Sequence, residues 1–477
     1  MISMRGTKLS EFLDELMVRI SSYIDTNADK QAKTVDFLPH ESRKRVTDLA
    51  LPLEGKGVQT LLDDIDEFLR QCVKTNRPEF MNPLWGGLNL AGFSGDVIAA
   101  LTNQSMYTYE LSPIATLIEK EIIHRMMEIV GFADGFGTMT TGGSNGNMLG
   151  MLCARQSVDP LSSVNGFDGT KYVAFVSAEA HYSVLMSANV IGIGHQNLIK
   201  VACDKRGKMK PEALLEEINR AKDNGQIPFC VIATSGTTVR GAFDPLREIA
   251  NITHDNNIWL HVDAAWGGSC LFSKQYRSLM DGVELADSIC WDAHKMMGLP
   301  LICSVFLTKH QTILRAVCAH GDSAHYLFHD DTREVDLGRY SLQCGRRNDS
   351  LKLWLAWREI GDSGWAKMVE RYCMLSNYLE DLVTSSEHLF MMSEREWSNI
   401  CFRFEIEGQN LNQLNTEIRN RMMREGIHLV SRSNIGEDVV IRAVIANPLI
   451  DEKVLRSLVE TINRHGHEIV SNIPSEF

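Results

Sequence analysis

The run Ile258-Trp259-Leu260-His261-Val262-Asp263-Ala264-Ala265-Trp266-Gly267-Gly268 is a short apolar stretch that ends on an acid and then turns to small residues. Its first part, Ile258–Asp263, is rich in bulky side chains and closed by a turn signal, so it reads as a buried strand. An acid at the carboxyl end of such a strand points into the crevice where open α/β sheets bind ligands. Asp263 can there pair with a protonated pyridine nitrogen, or it can cap a turn; the residues alone favour neither. Ala265 leaves room for a flat ring.

Similar runs lie on both sides of it. Tyr172–Val176, Leu198–Ala202, Phe229–Thr234, Ser288–Trp291 and Ile302–Leu307 read as strands, with Pro211–Asp223 and Pro245–Asn256 as helices between them. Strand and helix alternating at this pace predict an α/β domain with a mainly parallel sheet. Beyond Asp349 the pattern becomes helix-like over Leu351–Ile360 and Trp365–Val383. It continues with strand-like Ile400–Ile406 and Val439–Ile445 and helix-like Asn412–Arg424 and Asp451–His465, a small α+β domain. Upstream, residues 9–24 and 58–73 read as amphipathic helices. The polar stretch Asn27–Glu54 between them is either a mobile arm or an extended crossing to a partner subunit. The expected divisions are residues 1–100, 101–350 and 351–477, a size that suits one large core and a second domain.

With 48 Lys and Arg against 61 Asp and Glu, the formal net charge is −13. No basic stripe gathers on one segment, which argues against a nucleic-acid partner. No stretch reaches the length of a membrane span, and the N-terminus has no unbroken apolar core of a secretory signal. Eleven cysteines include no C-x-x-C pair, so a zinc ribbon or thioredoxin-type site has no support. Scattered thiols in a reducing compartment, and by default a cytoplasmic location, are expected.

Three more stretches bear chemistry. Thr140-Thr141-Gly142-Gly143-Ser144-Asn145-Gly146-Asn147 precedes the helical run Met148–Arg155. Glycines permit close backbone approach, and a helix start presents unpaired N–H groups with a partial positive charge. Ser144 either caps that helix or bonds a phosphate oxygen. The stretch is not G-x-x-x-x-G-K-[ST], so a P-loop is disfavoured. In Asp292-Ala293-His294-Lys295, after the strand Ser288–Trp291, Lys295 is a surface lysine or one that forms an imine with an aldehyde. In His181-Tyr182-Ser183, the imidazole is structural, or it lies flat on a pyridine ring and steers protons. The order tips the balance toward chemistry: glycine-rich loop, acid, lysine, each at a strand end.

Together these residues resemble the group II pyridoxal 5′-phosphate (PLP) decarboxylases of fold type I, most nearly animal-type glutamate decarboxylase and cysteine sulfinate decarboxylase. The resemblance runs from about Pro78 to Pro448 and takes in Asn103–Pro113, Ala233–Asp244 and Gln343-Cys344-Gly345-Arg346. It implies an aspartate aminotransferase-like fold, with a large PLP-binding domain over 101–350 and a small α+β domain over 351–477. Residues 1–100 would pack on the partner subunit of a homodimer. It implies that Lys295 binds the cofactor as an imine, that Asp263 pairs with its ring nitrogen and that His181 stacks on the ring, with Ala265 on the other face. It gives the phosphate to Gly143 and Ser144 with His294 nearby, and places Thr238 by the ring oxygen. Tyr326 would return the proton to Cα, and Arg442 would bind the substrate's distal acidic group.

Two departures stand out. The animal members read Asn-Pro-His-Lys where this chain has Asp292-Ala293-His294-Lys295; a carboxylate beside a phosphate is repulsive, so Asp292 takes no phosphate role. They carry Asn-Gln-Leu where this chain has Asn82-Pro83-Leu84-Trp85. Pro83 offers no side-chain donor and Trp85 is bulky, while Arg442 stays. The expected activity is therefore decarboxylation of a small L-amino acid, an acidic one, with aspartate or cysteine sulfinate fitting better than glutamate. A non-acidic substrate, or another fold type I enzyme such as an aminotransferase, stays open as the alternative. A dinucleotide site lacks its fingerprint, which Gly192-Ile193-Gly194 does not complete. His325 and His329 flank Tyr326 at metal-ligand spacing but have no third ligand, so no metal is expected.

Overall fold

The computed structural model describes residues 9–27, 29, 31–319, 328 and 335–471. The chain forms two compact units: Leu88–Asn377 with Ser393–Cys401, and Met1–Gly87 with Tyr378–Met392 and Phe402–Phe477. The N-terminal segment therefore shares a unit with most of the C-terminal one.

Strand β1 (Phe80–Met81) belongs to the second of these units. The larger unit is built on seven strands: β2 (Phe136–Thr140), β3 (Tyr172–Ser177), β4 (Leu198–Val201), β5 (Ile227–Thr234), β6 (Trp259–Asp263), β7 (Ser288–Asp292) and β8 (Ser304–Thr308). Their spatial order is β2-β8-β7-β6-β5-β3-β4. All neighbours are parallel except β8, which runs against both β2 and β7. Two reversals about β8 leave β2 running the same way as β6 and β7. The carboxyl ends of these three strands, Thr140, Asp263 and Asp292, thus come out at one edge of the sheet. Every residue of β6, β7 and β8 is buried, as a parallel sheet covered on both faces requires. Two of the buried indoles around this sheet have partners: Trp259 donates to Ser288 Oγ at 2.9 Å and Trp266 to Asn399 Oδ1 at 2.7 Å.

The helix Gly143–Val158 follows β2 and crosses behind β5 to β8. Two glycines let it come close. A Cβ on Gly146 would lie 2.6 Å from Cys290 Cβ, and one on Gly150 would lie 2.4 Å from His261 Nδ1.

The smaller unit holds a second sheet, completed by β9 (Leu389–Met391), β10 (Asn399–Phe404), β11 (Leu429–Ile435) and β12 (Asp438–Val444), in the order β1-β11-β12-β10-β9. β11 and β12 are a hairpin whose turn uses Gly436 at φ 61°, the left-handed position a two-residue turn demands. Helices Leu9–Thr26 and Val58–Gln71 pack through Arg19 Nε on Asp66 Oδ2 at 3.1 Å and Cys72 Sγ on the Tyr23 hydroxyl at 3.3 Å. The polar stretch between them is pinned in places. Thr34 N donates to Gly426 O at 2.8 Å, Lys74 N donates to Thr34 O at 2.9 Å, and His40–Val46 is helical.

Several elements differ from the sequence expectation. β1, β2, β9 and β11 are strands in stretches not read as such. The two helices expected over 351–383 are present, within Ser350–Thr384, and meet at a break at Gly361 with φ 62°.

Candidate active site

The loop after β2 runs into the helix Gly143–Val158 through Gly142, which has φ 116° and open space around it. Gly142, not Ser144, is the residue before the first turn. Ser144 is the second helical residue and is exposed. The helical amides of Gly143 and Ser144 have no acceptor one turn back, so this edge presents donors to any anion placed there.

Behind the loop, Asn147 ties the site together. Its amide nitrogen donates to Asp263 Oδ2 at 2.8 Å and to Ser183 Oγ at 3.0 Å. Its oxygen faces His261 Nε2 at 3.0 Å and Cys290 Sγ at 3.0 Å. An amide oxygen only accepts, so His261 carries its proton on Nε2 and accepts at Nδ1 from Ser288 Oγ, 2.9 Å away. Burial pushes the His261 imidazole down to about 4 against the pull of Asp263, so the ring is neutral. The second branch works likewise. Ser183 Oγ receives Asn147's proton and gives its own to His181 Nδ1 at 2.8 Å, which also accepts from Ser183 N at 3.3 Å. Neutral His181 therefore bears its proton on Nε2. Burial, chiefly, holds it below its ordinary value; Asp263 opposes this and Lys295 adds to it. Asp263 is buried, and its second oxygen accepts from Ala265 N at 3.1 Å.

The third cluster closes β7. Lys295 Nζ lies 3.1 Å from Asp292 Oδ2, and His294 Nε2 lies 3.6 Å from the same oxygen. Asp292 is 2% exposed and Lys295 19% exposed along their side chains, so the ion pair is largely buried. Burial lowers the Lys295 ammonium, but Asp292 and Asp263 outweigh it and hold it above its ordinary value. His294 is pushed down, mainly by burial, and its Nδ1 sits 2.9 Å from Cys303 O.

The larger unit thus brings together Gly143, Ser144, His181, Asp263, Ala265, His294 and Lys295. A Cβ on Gly143 would touch Ala265 Cβ at 3.0 Å and Asp292 Oδ2 at 2.7 Å. Thr238 belongs to the same unit, its carbonyl accepting from Asn399 Nδ2 at 3.0 Å. Pro83, Trp85 and Arg442 lie in the smaller unit. Trp85 packs its ring on Phe80 at 5.5 Å, and Arg442 donates to Ser431 Oγ at 2.7 Å and Asn82 O at 2.9 Å. Tyr326, His325 and His329 fall outside the described residues. Asn147 and Ser183 are members of the site that carry no role in the sequence alone, and Asp292, set apart there only as a departure, joins them as the partner of Lys295.

PLP fits this donor set. An aldehyde needs an amine such as that of Lys295, a pyridine nitrogen needs a buried acid such as Asp263, and a phosphate needs the helix start at Gly142–Ser144. The glycine cradle leaves the space. Among the described residues no group of three or more His, Cys, Asp or Glu could hold a metal ion. No helix among them is long and apolar enough to cross a membrane.

Known proteins agree with this chemistry. The family described as the pyridoxal-dependent decarboxylase conserved domain matches residues 39–405. The acidic amino acid decarboxylase GADL1 of Bos taurus is 38% identical over 457 residues, 92% of this chain and 88% of that one. The cysteine sulfinic acid decarboxylase of Rattus norvegicus is 35% identical over 460 residues, 93% of each chain. The crystal structure of mouse CSAD superposes with a TM-score of 0.92 at 32% identity, covering 96% of this chain and 98% of that one. A strand-end acid, a strand-end lysine and a glycine-rich helix start on a mostly parallel sheet, matched along this length, place the chain in the pyridoxal-dependent decarboxylases, as a PLP-dependent carboxy-lyase of fold type I.

Proposed function

We propose that this enzyme decarboxylates a small acidic L-amino acid, aspartate or cysteine sulfinate ahead of glutamate, as a cytoplasmic homodimer. Arg442 carries the substrate reading. It is 7% exposed, and Ser431 and Asn82 fix two of its donors in direction. Arginine is the side chain whose planar fork matches a carboxylate or sulfinate, which is what supports an acidic substrate in this reading. Relatives whose names specify acidic and cysteine sulfinic substrates support the same class. Pro83 and Trp85 favour the shorter members of it.

When bound, the cofactor supplies an electron sink: its protonated ring accepts the electron pair that CO2 leaves at Cα. In this reading Lys295 holds the cofactor's aldehyde carbon, and Asp263, fixed by Asn147 and Ala265, keeps the ring nitrogen protonated. Gly143 and Ser144 hold the phosphate with His294 nearby. His181 and Ala265 cover the two ring faces, Thr238 lies by the ring oxygen, and Tyr326 returns the proton to Cα. CO2 release measured over the protein L-amino acids plus cysteine sulfinate tests the substrate. Aspartate or cysteine sulfinate should lead with glutamate behind, and a lead by an aromatic or basic amino acid would remove Arg442 from the site.

Exposed apolar side chains on the N-terminal helices, among them Leu13, Met17, Val18 and Phe68, support the packing of residues 1–100 on a second copy. A light-scattering mass of one chain in a fully active sample would exclude the dimer. The eleven cysteines, all free, suit a reducing compartment.

A further inference from the structure

The carboxylate of Asp292 stands in the one place where a phosphate-binding site should avoid negative charge. It ends β7, 2% exposed, with Oδ2 lying 2.7 Å from where a Cβ on Gly143 would be. Gly143 opens the helix whose first amides face the anion, so Asp292 borders the cradle from beneath. Oδ2 is taken by Lys295 at 3.1 Å, and the Ser304 hydroxyl also supports the carboxylate, while Oδ1 is buried with no partner at hydrogen-bonding geometry. That is an incomplete arrangement, because a buried carboxylate ordinarily accepts at both oxygens.

We propose that Asp292 is a positioning residue that deliberately weakens the hold on PLP, by pairing with Lys295 and by opposing the phosphate through its own charge. The proposal rests on the reading that Gly143 and Ser144 receive the phosphate. Two effects act in the same direction. The ion pair keeps the Lys295 amine charged, and only the neutral amine can attack an aldehyde. The second negative charge beside the helix start offsets part of what the amides of Gly143 and Ser144 and the nearby His294 offer to a dianion. Burial raises the Asp292 carboxyl, but Lys295 and His294, with a hydrogen bond from Ser304, reverse that, so the group stays ionised beside the cradle. The enzyme should therefore exchange its cofactor more readily than the donor set alone would allow.

Titrating cofactor-free protein with PLP, and separately with pyridoxal, which lacks the phosphate, tests this by absorbance. Asp292→Asn should tighten PLP about tenfold or more and pyridoxal by clearly less, because only PLP carries the charge that Asp292 opposes. Asp292→Ser, neutral and smaller, should shift both in the same direction and guards against a folding defect particular to asparagine. PLP affinity unchanged or weakened in both variants would overturn the proposal, as would an equal gain for PLP and pyridoxal, which would reduce Asp292 to a partner of Lys295. Ser144→Ala separates the underlying reading. If it weakens PLP and not pyridoxal, the phosphate lies where stated and the Asp292 result stands or falls alone. If it changes neither, the phosphate site itself is misplaced and the proposal falls with it.

Discussion

A single amide decides which atoms of this site can give or take a proton. Asn147 donates twice and accepts twice, and through it the tautomers of His261 and His181 follow from Ser288 and Ser183. Ser183→Ala removes the donor at His181 Nδ1 and leaves an Asn147 N–H unmet, a loss of about 1–3 kcal/mol. His181 would then be free to shift its proton to Nδ1. The turnover rate at saturating PLP should fall roughly 10- to 100-fold on the scale of a misplaced general acid or base, with PLP affinity changed only a few-fold. A rate within twofold of wild type would mean that the His181 tautomer does not matter. The places of Asp263, which closes β6, and of Lys295, three residues past the end of β7, could be read from the sequence because both strands are announced by their own apolar runs. Asn147 could not, although it ends the quoted glycine-rich stretch. Its partners lie 36 and 116 residues away, and only the folded sheet brings them to one amide.

The helix Gly143–Val158 is the element that sets the depth of the site. Its glycines at 146 and 150 recur every four residues, so they line one stripe, and that stripe meets β6 and β7. Gly150→Ala would drive a methyl to 2.4 Å from the buried ring of His261, which His261's bonds to Ser288 and Asn147 hold in place. Either the helix lifts or the relay breaks. We expect a stability loss of about 1–3 kcal/mol from overpacking, and weaker PLP binding because Gly143 moves with the helix. A thermal melt and a PLP titration on the same variant check both; unchanged melting would show that the helix has slack. The strands β5 to β8 were legible because buried parallel strands read as short apolar runs. β2 was not, since Phe136-Gly137-Thr138-Met139-Thr140 holds a glycine and two polar residues and pairs only along one edge, with β8. β11 escaped for a related reason: between Val430 and Ile435 it is polar and partly exposed.

Across the whole molecule, each unit hides a histidine that burial holds neutral. His261 in the larger unit and His428 in the smaller are both pushed down to about 4, chiefly by burial; at His428 the nearby Arg77 adds to the shift. In the unfolded chain both titrate near 6.5. Between those values the unfolded chain binds more protons than the folded one, so stability rises with pH across the window. The contribution of the neutral rings is complete above about 6.5, is lost as pH falls toward 4, and changes no further below that. Each unit of depression is worth on the order of 1.4 kcal/mol, which makes two such groups a large share of a marginal stability. His428 offers the cleaner test, because it lies outside the PLP-binding cluster and makes one hydrogen bond, Nε2 with Ser457 Oγ at 3.2 Å, while its Nδ1 is buried without a partner. Replacing it as His428→Gln keeps an amide within reach of Ser457 and removes the titration. Wild type should lose several degrees of melting temperature between pH 7 and pH 5, and His428→Gln should lose distinctly less over the same span. Equal losses in the two proteins would mean that His428 is already protonated in the folded state, and that the acid sensitivity of the smaller unit arises elsewhere.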